Sequence, residues 1–242
     1  MPTFRDEAVV LRTYQLGEAD RIVSLFTRRN GKIRAVAKGV RRTSSKFGAR
    51  LEPFSHIDVQ LAEGRGSLDV VTQVETLHAG LLGVDYDRFT AAEVLVEAAD
   101  RLVAEDRTPA VPQYRLLLGA LLALADPDRP AAAIVDSYLL RSLAVAGWAV
   151  TLGECSGCGV VGETSLWFSP QGGGTVCARC RPPSSVRVDE EALRHMGALL
   201  SGDWVVVAAS SSPTVNRCHG LVTAFATWHL DRALRSLPFL QR

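Results

Sequence analysis

The sequence predicts an α+β protein: a five-stranded β-barrel at the N-terminus, then an α-helical domain interrupted by a four-cysteine insertion. Three observations predict it. Five short β-rich segments fill the first eighty residues, apolar residues recur at helical spacing beyond residue 84, and four of the five cysteines form two C-x2-C pairs. At 242 residues, 47% hydrophobic and 22% charged, the chain can bury a sizeable core and build more than one domain.

The strand-like segments are Val9 and Leu11, Ile22 to Phe26, Ile33 to Ala37, Ile57-Val59-Leu61, and Leu68-Val70-Val74, the last two cleanly alternating. Asn30-Gly31 between the second and third is a strong hairpin signal, because both turn positions must tolerate positive φ. Glu63-Gly-Arg-Gly66 joins the fourth and fifth. Closure of five short strands removes exposed edges and suits a barrel of the oligonucleotide/oligosaccharide-binding (OB) type. An SH3-like barrel fits the same pattern. The expected division is residues 1–80 for the OB-type barrel and 81–242 for the helical domain.

Asp85 or Asp87 can cap a first helix carrying Phe89, Val96 and Val103, with Pro109 and Pro112 punctuating its end. Pro112 opens a second helix through Leu124, and Pro130 a third through about Gly147; short connections suggest a bundle. Helices resume near Asp189 and again from Thr214 to Ser236. Between them, at about residues 153–182, Gly, Ser and Cys dominate.

Cys155-Ser-Gly-Cys158 and Cys177-Ala-Arg-Cys180, 18 residues apart, have the spacing of a tetrahedral zinc site. Each pair turns tightly enough to offer two thiolates to one ion. Leu166-Trp-Phe168 supplies strand-like material between them and Gly172-Gly173-Gly174 a turn, as in a zinc ribbon. Arg179 and Arg181 flank the last ligand and offset thiolate charge. Disulfides or buried thiols are the alternative, and a reducing compartment disfavours the former. Four thiolates fill the coordination sphere, so one ion per chain is expected to build structure and to catalyse nothing. Cys218 reads as a buried, unpaired cysteine.

Net charge is only +1, but residues 1–60 carry +6 and the remainder −5. From Arg21 to Arg50 there are ten Lys/Arg and no acid. On the third strand Lys32, Arg34 and Lys38 share one face, opposite Ile33, Ala35 and Ala37. The connection Gly39 to Arg50, read as a loop without obvious structure, adds Arg41, Arg42, Lys46 and Arg50. A charge run alone is most often a solvated face. Here the missing acids and the barrel together point to a nucleic-acid strand, with Phe47 as the candidate platform for base stacking and Tyr14 as a second one.

Phosphate-binding-loop, H-E-x-x-H and G-x-S-x-G motifs are absent, so no enzyme activity is expected. His56, His78, His195 and His229 stand singly and read as structural or solvent-facing. Glu93 and Glu97 read as a solvated helix face. The N-terminus has acids where a signal peptide has its apolar stretch. The longest apolar run has ten residues against the roughly 18 of a membrane span. A cytoplasmic, nucleoid-associated protein is expected.

Gly17-Glu-Ala-Asp20, Phe26-Thr27, Gly31-Lys32, Val36-Ala-Lys-Gly-Val-Arg-Arg42 and Leu51-Glu-Pro-Phe54, in that order, followed by helices with the cysteine insertion, resemble the bacterial DNA repair protein RecO family. The segment Ser137 to Trp148 leading into Gly153-Glu-Cys-Ser-Gly-Cys-Gly159 is also similar to members that carry the zinc motif. The resemblance implies an OB domain and a zinc-bearing helical domain that bind single- and double-stranded DNA and anneal complementary strands. It implies work with RecR to load the recombinase RecA on strands coated by single-strand binding protein (SSB), in the RecF pathway. It places the basic OB surface at Lys32, Arg34, Lys38, Arg41 and Arg42, with Lys46 and Arg50 beside them. The rival readings are a protein-interaction scaffold or another nucleic-acid-binding regulator that does not anneal.

Overall fold

The structure, a computed structural model, describes residues 2–43, 45, 47–64, 66–78, 85–103, 106–161 and 166–240. The chain folds as two compact units, Met1–Ala125 and Asp126–Arg242.

Five strands close the barrel of the first unit: β1 (Thr3–Leu16), β2 (Asp20–Thr27), β3 (Gly31–Ala37), β4 (His56–Ala62) and β5 (Asp69–His78). Their order, β1-β2-β3-β5-β4 with β4 back on β1, is that of an OB-type barrel. The 14 residues of β1 make closure possible, because residues 3–9 pair with β4 and residues 8–16 with β2, with a bulge between Val10 and Arg12. β3 and β5 pair in parallel, Ala35 with Asp69 and Val36 with Val70, which fixes the OB order. Alternation then decides which side chains fill the barrel: Val23, Leu25, Ile33, Ala35, Ala37 and Val59 are among those that do.

The β2–β3 turn forms one residue earlier than expected: it spans Arg28 to Asn30, Gly31 opens β3 opposite Thr27, and Asn30 does not take positive φ. Gly31 has φ +67°, and a Cβ there would lie 2.1 Å from the Thr108 carbonyl oxygen, so the position excludes any side chain on two counts.

The connection after β3 departs from expectation. It is not a structureless loop: Val40, Phe47 and Leu51 enter the barrel core, and a 3-10 turn spans Gly48–Leu51. It is also pinned to the β1–β2 turn, where the Gly39 amide donates to Asp20 Oδ1 (2.7 Å) and the Arg41 amide to the Ala19 carbonyl (3.0 Å). Three apolar residues spaced irregularly among Gly, Ser and Arg carry no periodic signal, which is why sequence missed the plug. Ser44 and Lys46 lie outside the described residues.

Helix α1 (Tyr86–Leu102) is capped by Asp85, whose carboxylate accepts from the Arg88 amide (2.9 Å), and α2 (Val111–Ala123) starts with Pro112 in its first turn. Both pack on the outside of the barrel rather than into a three-helix bundle. Phe26 of β2 meets Tyr114 edge-on at 5.7 Å, and Phe54 meets Phe89 at 5.4 Å. The sequence division at residue 80 marks the change from strand to helix; the spatial division falls later because these two helices bury the barrel's flank.

In the second unit α3 (Ala131–Val145) groups with α4 (Glu190–Ser201), the six-residue α5 (Trp204–Ala209) and α6 (Ser212–His229). Asp136 of α3 and His219 of α6 form a buried pair at 2.9 Å, and Ser137 donates to the Leu199 carbonyl at 2.7 Å. α6 ends at His229, short of Ser236, because Asp231 turns left-handed at φ +57°. The insertion folds as a three-stranded sheet, β6 (Leu166–Ser169), β7 (Gly174–Val176) and β8 (Val186–Val188), in the order β7-β6-β8. α5, β7 and β8 were not expected: six residues and three residues are too short to show a period, and β7 begins at Gly174, read from sequence as part of a turn. Among the described residues no helix is long and apolar enough to cross a membrane.

Candidate metal centre and cationic surface

The sheet of the insertion brings the two cysteine pairs together. The ligand sulfurs of Cys155, Cys158, Cys177 and Cys180 all lie within 4.8 Å of one another, with Cys158 and Cys177 at 3.9 Å. Tetrahedral thiolates at about 2.3 Å from zinc stand about 3.8 Å apart, so the donor set and its spacing fit one such ion. Each pair is shaped by backbone: the Gly159 amide donates to the Cys155 carbonyl (2.7 Å), and the Cys180 amide to the Cys177 carbonyl (3.2 Å). Gly157 is closely packed, since a Cβ there would sit 3.2 Å from Cys180 Cβ and 3.4 Å from its Sγ.

The electrostatics point the same way. Backbone N–H groups, foremost that of Cys177, lower the Cys155 thiol to about 6 against the opposing effect of burial. Hydrogen bonding to the sulfurs of Cys177, Cys158 and Cys155 pushes Cys180 up to about 12. Thiolates packed this closely repel one another, and a bound cation relieves that repulsion. The cluster is also the insertion's core: Cys155, Cys177 and Val176 are buried, with Val160, Trp167 and Cys180 packed against them.

Of the two arginines expected to offset thiolate charge, Arg179 interacts electrostatically with Cys158, Cys177 and Cys180, Cys158 foremost. Arg181 instead lies over the Trp167 ring at 4.6 Å. Cys218 is fully buried as expected, its thiol donating to the Ala192 carbonyl (3.5 Å).

The acid-free run of the sequence is not acid-free in space. Four of its ten cations find carboxylates from elsewhere: Arg21 pairs with Glu52 (2.8 Å), Arg28 with Glu7 (3.1 Å), Arg29 with Asp6 (3.4 Å) and Lys32 with Asp100 (3.2 Å). Lys32 therefore does not belong to an open cationic face; its ammonium also donates to the Asp100 carbonyl, and its side chain is 12% exposed. Arg34 of the same strand face is exposed, as are Lys38, which falls in the turn just past the end of β3, and Arg41, Arg42 and Arg50. Among the described residues no acid pairs with Arg34, Lys38, Arg41 or Arg42. The Arg41 guanidinium is held by the Gly17 and Glu18 carbonyls of the β1–β2 turn, which leaves its charge uncompensated.

Phe47 is a correction. It is 2% exposed inside the barrel and cannot stack on a base. Tyr14 is the exposed aromatic, at 49%, and it borders a groove of about 590 Å³ lined by Ile22, Ser24, Lys32, Arg34, Asp100 and Asp106. Strand register builds this groove, setting Tyr14 opposite Ile22 and Ser24 opposite Arg34. A two-residue turn at Asn30-Gly31 would have set Ser24 opposite Ala37, so the second pairing is decided by the structure.

Other single residues turn out to be paired. His56 Nδ1 is 3.1 Å from His78 Nδ1 and its Nε2 3.1 Å from the Tyr114 hydroxyl, while His195 Nδ1 lies 2.8 Å from Ser210 Oγ. Glu93 and Glu97 do not form a solvated face. Glu97 is buried and pairs with Arg101, and burial raises the Glu93 carboxyl, partly offset by Arg12.

A barrel with this strand order, an exposed cation cluster beside it and a four-thiolate insertion in a helical body match two family models along nearly the whole chain. Recombination protein O N terminal covers residues 1–79, and recombination protein O C terminal covers residues 83–238. This chain belongs to the recombination protein O (RecO) family. It is 55% identical over 248 residues to the DNA repair protein RecO of Cutibacterium acnes (strain DSM 16379 / KPA171202), all of both chains being covered. The DNA repair protein RecO of Thermobifida fusca (strain YX) is 52% identical over 244 residues, again with both chains covered. That of Nocardioides sp. (strain ATCC BAA-499 / JS614) is 51% identical over 243 residues, covering 99% of each. RecO membership and the closed OB-type barrel agree with the resemblance drawn from residues 17 to 54.

Proposed function

We propose that this RecO-family chain is a DNA-binding recombination mediator in DNA repair. It binds single- and double-stranded DNA, anneals complementary strands and, with RecR, helps load RecA on SSB-coated strands in the cytoplasm. The observation that carries the reading is the cation set left over when the barrel's other charges pair: Arg34, Lys38, Arg41 and Arg42. Residues 1–80 serve as the DNA-binding module, with Arg50 and Lys46 extending the surface and Tyr14 replacing Phe47 as the stacking platform. Residues 81–242 form the helical module.

Annealing needs no covalent chemistry and hence no catalytic residue. Guanidinium and ammonium groups neutralise phosphates, which lowers the repulsion between two strands, and a sequence-tolerant surface holds both while bases find partners. Cys155, Cys158, Cys177 and Cys180 hold one zinc ion as a structural centre. With four thiolates bound the ion has no open position and supplies folding energy to the insertion.

A salt titration of single-strand binding, with annealing read in parallel, tests this. Arg41→Ala/Arg42→Ala removes two phosphate contacts, and the slope of log K against log salt should become shallower by about 1.4. Unchanged slope and unchanged annealing would reject the surface.

A further inference from the structure

We propose that Cys158 and Cys177 form a peroxide-responsive thiol pair inside the metal centre. This rests on the zinc reading above. The four sulfurs are not equivalent: Cys155 and Cys177 are 1% and 2% exposed, whereas Cys158 is exposed. Cys158 is flanked by Gly157 and Gly159, neither of which brings a side chain to shield it, and the positive charge of Arg179 acts on its sulfur. The Cys177 sulfur is 3.9 Å away. An exposed thiolate beside a cation, with a second thiolate in reach, has the makeup of an oxidation-sensitive site with its own resolving cysteine.

The co-reactant is a hydroperoxide. The Cys158 thiolate attacks one peroxide oxygen; an S–O bond forms, the O–O bond breaks and hydroxide leaves, giving the sulfenic acid. The Cys177 thiolate then attacks that sulfur; an S–S bond forms, the S–O bond breaks and a second hydroxide leaves. Two thiolates have lost two electrons to the O–O bond, and two protons from solvent turn both hydroxides to water. Cys155 and Cys180 remain, and two thiolates do not retain the ion against solvent.

Loss of the ion does not stay local. The insertion's core is the cysteine cluster with Val160, Trp167 and Val176, so β6 loses what one of its faces packs against. On its other face Phe168 meets Phe225 of α6 at 6.0 Å. Phe225 meets His229 at 4.4 Å, and His229 stacks on Trp148 at 5.5 Å. Oxidation therefore loosens the aromatic column that ties the insertion to α6.

The test uses full-length zinc-loaded protein exposed to graded hydrogen peroxide. The expected result is release of one zinc per chain, a mass lower by two hydrogens and a Cys158–Cys177 peptide link. Dithiothreitol with added zinc reverses it, and buried Cys218 stays reduced as an internal reference. Arg179→Ala, once loaded with zinc, should release it several-fold more slowly under peroxide. Zinc retained under peroxide, or released with a Cys155–Cys180 link or a sulfinic acid in place of the expected disulfide, would overturn the pair. Absence of zinc from freshly purified reduced protein would instead overturn the zinc reading itself.

Discussion

Phe47 and Tyr14 show what a single residue's type does and does not reveal. Both are aromatic and both stand near cations in sequence, yet one fills the barrel and the other borders the groove. Truncating each should separate the roles. Phe47→Ala should lower unfolding free energy by about 3–5 kcal/mol, as for a buried aromatic. Tyr14→Ala should leave the denaturant midpoint nearly unchanged and weaken single-strand binding by about 1–3 kcal/mol. The reverse pattern, read by urea unfolding and strand titration, would contradict both placements. The cysteines were legible because their chemistry depends on spacing along the chain. Lys32 was not, because its partner Asp100 lies 68 residues away.

At the level of elements, the proposed zinc site makes the insertion, and not the barrel, the part expected to depend on metal. The barrel has a continuous apolar interior, whereas the insertion's small core is built around its cysteines: Cys155, Cys177 and Val176, with Val160, Trp167 and Cys180 against them. Removing zinc with a chelator under reducing conditions should raise amide exchange across residues 166–188 while β1 to β5 keep their protection. Equal loss in both would show a single cooperative unit. Element type was readable wherever an element was long enough to show its period: all five barrel strands and α1, α2, α3, α4 and α6 fall where alternation, helical spacing, Asp caps and first-turn prolines put them. α5, β7 and β8 were too short, and the plug after β3 is irregular backbone whose order comes from burying Val40, Phe47 and Leu51.

Over the whole molecule, buried histidines tie stability to pH. Burial holds His56, His195 and His229 below the ordinary value of 6.5; His78 adds to the effect at His56, and at His195 Asp136 and Glu191 oppose it. The folded protein thus binds fewer protons than the unfolded chain just below pH 6.5, so this contribution is present above that pH and is lost on acidification. The thermal midpoint should fall between about pH 7 and pH 5.5, and His195→Gln should flatten the profile by one group's share. A midpoint that rises on acidification over that range would contradict the burial of these rings.

By itself the sequence determined the order of the longer strands and helices, the four cysteines that cluster and the surplus of cations near the N-terminus. These follow from local periodicity and short spacing, which tertiary contacts do not alter. Only the tertiary structure decided which cations are neutralised, which aromatic reaches solvent and that α1 and α2 cover the barrel. Those outcomes depend on partners brought together by barrel closure, from positions far apart in the chain. Charge and burial are properties of neighbours in space, and closure chooses the neighbours.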